Sequence, residues 1–342
     1  SGCNICVSAD AKGLPIRCTQ NPTMGEEWRR GWHPERIEVR RTSAPVMVVG
    51  AGPAGLEAAR ALGQRGHQVQ LLDARPDVGG RVAREALLPG LAAWRRVVDW
   101  RRGEIAELDA VEVFPASPMT ATEVLDAGVR DVVVATGATW RRDGRGRSTG
   151  RPIPGFTQDH VYTPDDILDD LESGSWRLPE GEVVICDDDH YVMGGLLAEL
   201  IAKRGGRVTL VTPAPLVSYW CQFTLEQERI ERRLRGLGVQ IVTRTALSGI
   251  RPDHVIAEAV IDGAPAQFPS DAVLLVADRA PTTQLHDELL PAERTGELDS
   301  LRLIGDAEAP GLIAQAVFSG HRAARQFGED IDIDAVEFLR EG

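Results

Sequence analysis

The sequence predicts an α/β protein of two parallel-sheet domains, the second inserted in the first, behind a leading segment that carries cysteines. Three features predict it. An apolar run, VMVVG (46–50), is followed by glycines, a helically spaced stretch and a second apolar run, VQLLDA (69–74), the order of a βαβ unit. The same order returns at 183–212, where EVVIC, MGGLLAELIAKRG and RVTLV follow one another. Residues 1–43 are polar, rich in Gly, Pro and Arg, and hold three of the five cysteines, as expected of a segment organised by something other than an apolar core.

Charge narrows the function classes. With 38 basic against 51 acidic side chains the net charge is −13, which excludes a nucleic-acid glove or a binder of anionic membranes, because phosphate contacts need a basic surface. No stretch reaches the roughly 18 apolar residues of a membrane span. The start, SGCNICVSADAKG, lacks the basic and apolar regions of an export signal, so a cytoplasmic location is expected. An odd number of cysteines without such a signal argues against a disulfide framework.

Gly50-Ala-Gly52-Pro53-Ala54-Gly55 is a G-x-G-x-x-G turn directly after a strand and before a helix. Gly50 permits the tight turn, Gly52 lets the backbone approach a diphosphate, Gly55 allows close helix packing, and the helix start offers unpaired N–H groups. Asp73, 23 residues after Gly50 and followed by Ala74 and Arg75, is placed to accept from adenosine ribose hydroxyls and to repel a 2′-phosphate. Gly79-Gly80-Arg81 either passes beside the diphosphate or is a plain surface turn. Ala135-Thr136-Gly137 at the end of a buried strand and Gly305-Asp306 before a late helix complete the signals for an ADP or FAD site. Both domains are thus read as Rossmann-like, of the FAD/NAD-linked reductase type.

The second turn differs. Aligning EVVIC with VMVVG puts Cys186, Asp188 and Tyr191 where the glycines would stand, inside Cys-Asp-Asp-Asp-His-Tyr. Three carboxylates facing a diphosphate repel it, so no NAD(P)H is expected in this site. A divalent cation held by Asp187 to Asp189 is the competing reading. Cys186 reads as a small buried hydrophobe. The expected division is 1–43 for the cysteine segment, 44–152 plus 272–330 for the ADP/FAD-binding domain, 153–271 for the degenerate NAD(P)-type domain and 331–342 for a C-terminal tail.

Cys3-Asn-Ile-Cys6 and Cys18 make C-x2-C-x11-C. Thiolates so spaced suit a 4Fe-4S cluster, which takes four ligands, and the same spacing counted back puts the fourth immediately upstream of Ser1. The chain is therefore expected to be the C-terminal part of a longer polypeptide. Zinc on Cys3, Cys6, Cys18 and His33, or unliganded thiols, are the alternatives. His33, His160, His254, His286 and His321 form no readable triad, and no catalytic residue is assigned.

The run Gly2-Cys3-Asn4-Ile5-Cys6, then Cys18-Thr-Gln-Asn-Pro22, then Gly25-Glu-Glu-Trp-Arg-Arg-Gly-Trp-His33-Pro34-Glu35 resembles the iron-sulfur segment of the trimethylamine, dimethylamine and histamine dehydrogenase family. The similarity continues through GAGPAGLEAAR, ATGATW, FTLE (223–226) and IGDAEAPGLIAQAVFSGHRAAR. It implies a flavoprotein oxidoreductase acting on amine CH–NH bonds, with FMN and the substrate in an N-terminal β/α barrel absent from this chain. It also implies a 4Fe-4S cluster on Cys3, Cys6 and Cys18, ADP on Gly50, Gly52, Gly55 and Asp73, and electron-transferring flavoprotein as acceptor, with Tyr219 in a segment like one near the family's docking surface. The barrel and a second subunit of a homodimer are the other expected partners. The related dienoyl-CoA reductases keep an intact second glycine turn for NADPH; an NAD(P)H-fed reductase of that type, and a non-catalytic nucleotide-binding module, are the alternatives. Without a barrel the sequence does not name the amine.

Overall fold

The computed structural model describes residues 2–27, 32, 36–39 and 44–328. Its strands run in chain order β1 Val46–Val49, β2 Val69–Leu72, β3 Val111–Phe114, β4 Asp131–Val134, β5 Ala138–Trp140, β6 Val161–Tyr162, β7 Glu182–Asp187, β8 Arg207–Val211, β9 Gln240–Val242, β10 Thr245–Ile250, β11 His254–Ala259, β12 Pro265–Pro269, β13 Ala272–Val276, β14 Arg279–Pro281 and β15 Ser300–Leu303. Two compact units result. One comprises the described residues within 1–83, 93–138 and 281–342, the other 84–92 and 139–280.

The first unit is built on a parallel sheet of order β15-β4-β1-β2-β3. All four residues of β1 are buried, as a central strand covered on both faces requires. Val49 lies level with Leu72 and Val134, so the chain ends of β1, β2 and β4 open on one edge. The helix Pro53–Gln64 follows β1; proline at its first position presets the backbone, and its alanines and leucines lie buried against the sheet and the helix Ile313–Arg325. Met47, Val49, Leu72, Val132, Val134, Leu289 and Leu301 belong to one core cluster.

The second unit repeats the plan as a parallel sheet of order β6-β13-β7-β8-β9, with an antiparallel β10-β11-β12 sheet beside it in sequence. Val161, Val184, Cys186, Val211, Leu247, Val255, Val273 and Leu275 share its core. The helix Met193–Lys203 follows β7.

The insertion is as expected, but its limits are wider than 153–271. Residues 139–152 and 272–280 belong to the inserted unit, and β13, assigned above to the ADP/FAD-binding domain, pairs with β6 and β7, Val273 level with Val184. An apolar run such as AVLLV announces a buried parallel strand without saying which of two sheets it enters. The described part of the 1–43 segment groups with the first unit. His33 and the 331–342 tail lie outside the described residues. Among the described residues, no helix is long and apolar enough to cross a membrane.

Candidate nucleotide site

The first glycine turn forms as expected. Gly50 has φ +106°, and a side chain there would meet the Ala135 carbonyl oxygen at 2.4 Å, so the turn and the Ala135-Thr136-Gly137 segment require each other's closeness. Gly52 is the N-cap of the Pro53–Gln64 helix in an extended conformation, and no side chain caps it, leaving the N–H groups of that end aimed outward. Ala54 and Gly55 supply its next positions. The carboxylate of Asp73 sits beside the turn: Oδ2 accepts the Ala51 N–H at 2.6 Å and Oδ1 the Arg75 N–H at 2.8 Å, while exposed Ala74 starts the loop beyond. A carboxylate has lone pairs for further hydroxyl donors, so Asp73 can serve a ribose without leaving these amides.

Gly80 decides between the two readings of its turn. It has φ +56°, and a β-carbon on it would lie 2.8 Å from the Gly52 Cα, so the 79–81 turn is packed on the glycine loop. Gly79 donates its N–H to the Ala51 carbonyl at 2.8 Å. Arg81 then reaches Asp306, Nη2 to Oδ2 at 2.5 Å. The Thr136 hydroxyl donates to the Thr282 carbonyl at 2.6 Å. The residues assigned from sequence to this site are therefore brought to one edge of one sheet. An uncapped helix start, a glycine-lined floor and a flanking acid together suit an adenine nucleotide's diphosphate and ribose.

Sequence reasoning missed what lies beneath. Glu57, one turn into the same helix and fully buried, is held by Arg101 Nε at 2.8 Å, Arg60 Nη2 at 2.6 Å and His321 Nδ1 at 2.9 Å. Burial alone would raise its pKa; Arg101, the His321 hydrogen bond and Arg60 outweigh that and keep it well below the ordinary carboxylate range. Arg101, itself fully buried, also donates to Val97 O at 2.9 Å and Gln20 O at 3.1 Å, tying the Pro53–Gln64 helix to the turn after Cys18. The available signal was a charged residue at a core-facing helical position.

The thiol set is soft enough for iron or zinc, but the described residues do not gather it. Cys6 is exposed on the helix Ile5–Ala11, Cys3 Sγ lies 3.4 Å from Thr19 Oγ1, and Cys18 Sγ accepts the Gln20 N–H at 3.4 Å. No group of three or more His, Cys, Asp or Glu side chains among the described residues is arranged to hold a metal, which applies equally to Asp187 to Asp189.

The second turn lacks its glycines, though the residue matching needs correcting. Cys186 is level with Val211 as Val49 is with Leu72, so Asp187, not Cys186, stands in the place of Gly50. Six residues, 187–192, separate Cys186 from the helix that starts at Met193, against three, 50–52, before Pro53. Gly194, not Tyr191, takes the close helical approach: a β-carbon on it would lie 2.5 Å from the Asp187 carboxyl carbon. Nor do the acids line up toward solvent. Asp187 and Asp188 are buried. Asp188 Oδ2 accepts the N–H groups of Ser148 at 2.9 Å and Thr149 at 3.2 Å, and its Oδ1 meets His190 Nε2 at 3.2 Å. Burial, then Asp189, push Asp187 up to about 7. Burial and the neighbouring Asp188 likewise raise the thiol of Cys186, which stays an inert core residue. Tyr219 opens the 3-10 turn Tyr219–Gln222, partly exposed and edge-on to Phe223 at 6.5 Å.

The sequence model of pyridine nucleotide-disulphide oxidoreductases matches residues 44–299. The chain belongs to this family. Among its relatives, histamine dehydrogenase from Rhizobium sp. 4-9 superposes with a TM-score of 0.93 at 46% identity, over 99% of this chain and 52% of its own. The 6-hydroxypseudooxynicotine amine oxidase of Pseudomonas geniculata N1 gives 0.91 at 41%, over 95% and 48%. Dimethylamine dehydrogenase from Hyphomicrobium sp. (strain x) is 36% identical over 361 aligned positions, 97% of this chain and 48% of the relative. The chain thus spans about half the length of these oxidoreductases, and the resemblance to the amine dehydrogenases holds along nearly all of it.

Proposed function

We propose that this chain is the nucleotide-binding and electron-transfer half of a flavoprotein amine dehydrogenase that oxidises an amine at a CH–NH bond. The observation that carries it is the contrast between two homologous turns: Gly52 and Gly80 leave the first open to a diphosphate, whereas Asp187 and Asp188 fill the second with buried side chains. On this reading electrons come from an amine and not from NAD(P)H. The similarity to dimethylamine and histamine dehydrogenases along nearly all of the chain supports the amine.

On this reading the FMN and the amine site belong to an N-terminal barrel. Cys3, Cys6 and Cys18 are ligands of a 4Fe-4S cluster in the full-length protein, an arrangement that the described residues do not themselves assemble. Electron-transferring flavoprotein is the acceptor, and the enzyme is a cytoplasmic homodimer. The residues of this chain bind and orient: the open helix start and Gly52 take the diphosphate, and Asp73 takes the ribose.

The test uses the full-length protein under anaerobic conditions. Dimethylamine or histamine should bleach the flavin, and NADH and NADPH should not; bleaching by NADPH would transfer the chain to the dienoyl-CoA reductase type. Iron and labile sulfide in equal amounts are expected, and absence of both removes the cluster.

A further inference from the structure

Arg81 and Asp306 meet across the first turn of the Pro53–Gln64 helix. The chain before Arg81 packs there through Gly80 on Gly52, and the chain before Asp306 packs there through Gly305, where a β-carbon would lie 2.6 Å from the Ala54 Cβ. Their side chains join at 2.5 Å and are 21% and 12% exposed. The second oxygen of Asp306 accepts the Gly311 N–H at 2.9 Å, which fixes the carboxylate in place.

Strand order gives this pair a direction. Asp73 follows β2 on one side of β1, whereas Asp306 follows β15 on the other side, with β4 between. A ligand with its ribose at Asp73 and its diphosphate at the helix start can extend only toward β4 and β15. On that side Thr136 and Gly137 are also engaged, the Thr136 hydroxyl and the Gly137 carbonyl both bonded to the Thr282 backbone.

We infer that the Arg81–Asp306 ion pair is the specificity element of this site, admitting a nucleoside diphosphate and excluding a dinucleotide such as FAD. This rests on the nucleotide site proposed above. ADP ends at its terminal phosphate and leaves the pair intact; a guanidinium has donors enough to serve Asp306 and a phosphate oxygen together. The second half of FAD has to part the two side chains, uncoupling a largely sheltered charge pair and occupying the carboxylate that Gly311 holds.

Full-length protein stripped of its nucleotide, and its R81Q and D306N variants, would be titrated with ADP and separately with FAD. Wild type should bind ADP and not FAD, and both variants should raise the FAD-to-ADP affinity ratio at least tenfold. FAD binding to wild type as tightly as ADP, or an unchanged ratio in both variants with native circular dichroism, overturns the inference while the nucleotide site stands. Failure of wild type to bind either ligand overturns the site itself. Should one variant not fold, the other decides.

Discussion

Gly194 and Asp187 occupy space that neither could share with a larger partner: the carboxyl carbon of Asp187 lies 2.5 Å from where a Gly194 β-carbon would be. Asp187 ends β7 and Gly194 is the second residue of the next helix, so the side chain that replaces the first glycine is accommodated by a glycine seven residues on. Gly194→Ala should destabilise the fold by about 2 kcal/mol or more through overpacking. In an Asp187→Gly background the same change should cost far less, a coupling that a double-mutant cycle in urea unfolding reads directly.

Asp187 also sets a pH dependence. Its pKa of about 7 in the fold exceeds the ordinary 3.8, so between about pH 4 and pH 7 the native state holds a proton that the unfolded chain has lost. Stability from this group is present below the lower value and declines as pH rises toward the upper one. Asp187→Asn should raise the melting temperature at pH 8 by several degrees and change it little at pH 4. Equal effects at both values would contradict the assignment.

Glu57 behaves in the opposite sense. Its folded pKa lies below the unfolded value, so its contribution is present above about 4.5 and is lost as pH falls further. Glu57→Gln leaves Arg101 buried without its counter-charge, which should cost about 3–5 kcal/mol near neutral pH. The denaturant midpoint should fall accordingly, and the gap from wild type should narrow on acidification.

Gly80→Ala tests the floor of the nucleotide site. The substitution forces a side chain into a left-handed conformation at φ +56° and drives a methyl toward the Gly52 Cα. The strain alone costs about 1–2 kcal/mol. Because the displaced partner is the glycine at the helix start, ADP affinity should fall at least tenfold by calorimetry, well beyond the small loss in melting temperature.

The first glycine turn was legible because its signals are local. A strand, three glycines and an acid at fixed spacing lie within 46–73, and backbone geometry follows from residue type there. Long-range pairings were not legible. The joining of Arg81 to Asp306, and of Glu57 to Arg101 and His321, depends on strand order and helix packing that no spacing encodes. The second turn was read correctly as lacking its glycines, but its residue matching slipped because the loop is longer than the first, and length differences in a loop leave no periodic trace. The same limit misplaced β13, whose unbroken apolar run suits either sheet.

Asp188 makes the change in the second turn hard to undo. Its carboxylate satisfies two backbone amides, of Ser148 and Thr149, much as a bound phosphate would. Replacing it with glycine takes the acceptor from both amides before any external ligand has gained a foothold, and each lost hydrogen bond to a charged group costs about 1.5–3 kcal/mol. On the function proposed above, a lineage regaining a pyridine nucleotide here would have to descend through a less stable protein first, so this internal surrogate would act as a ratchet on cofactor choice.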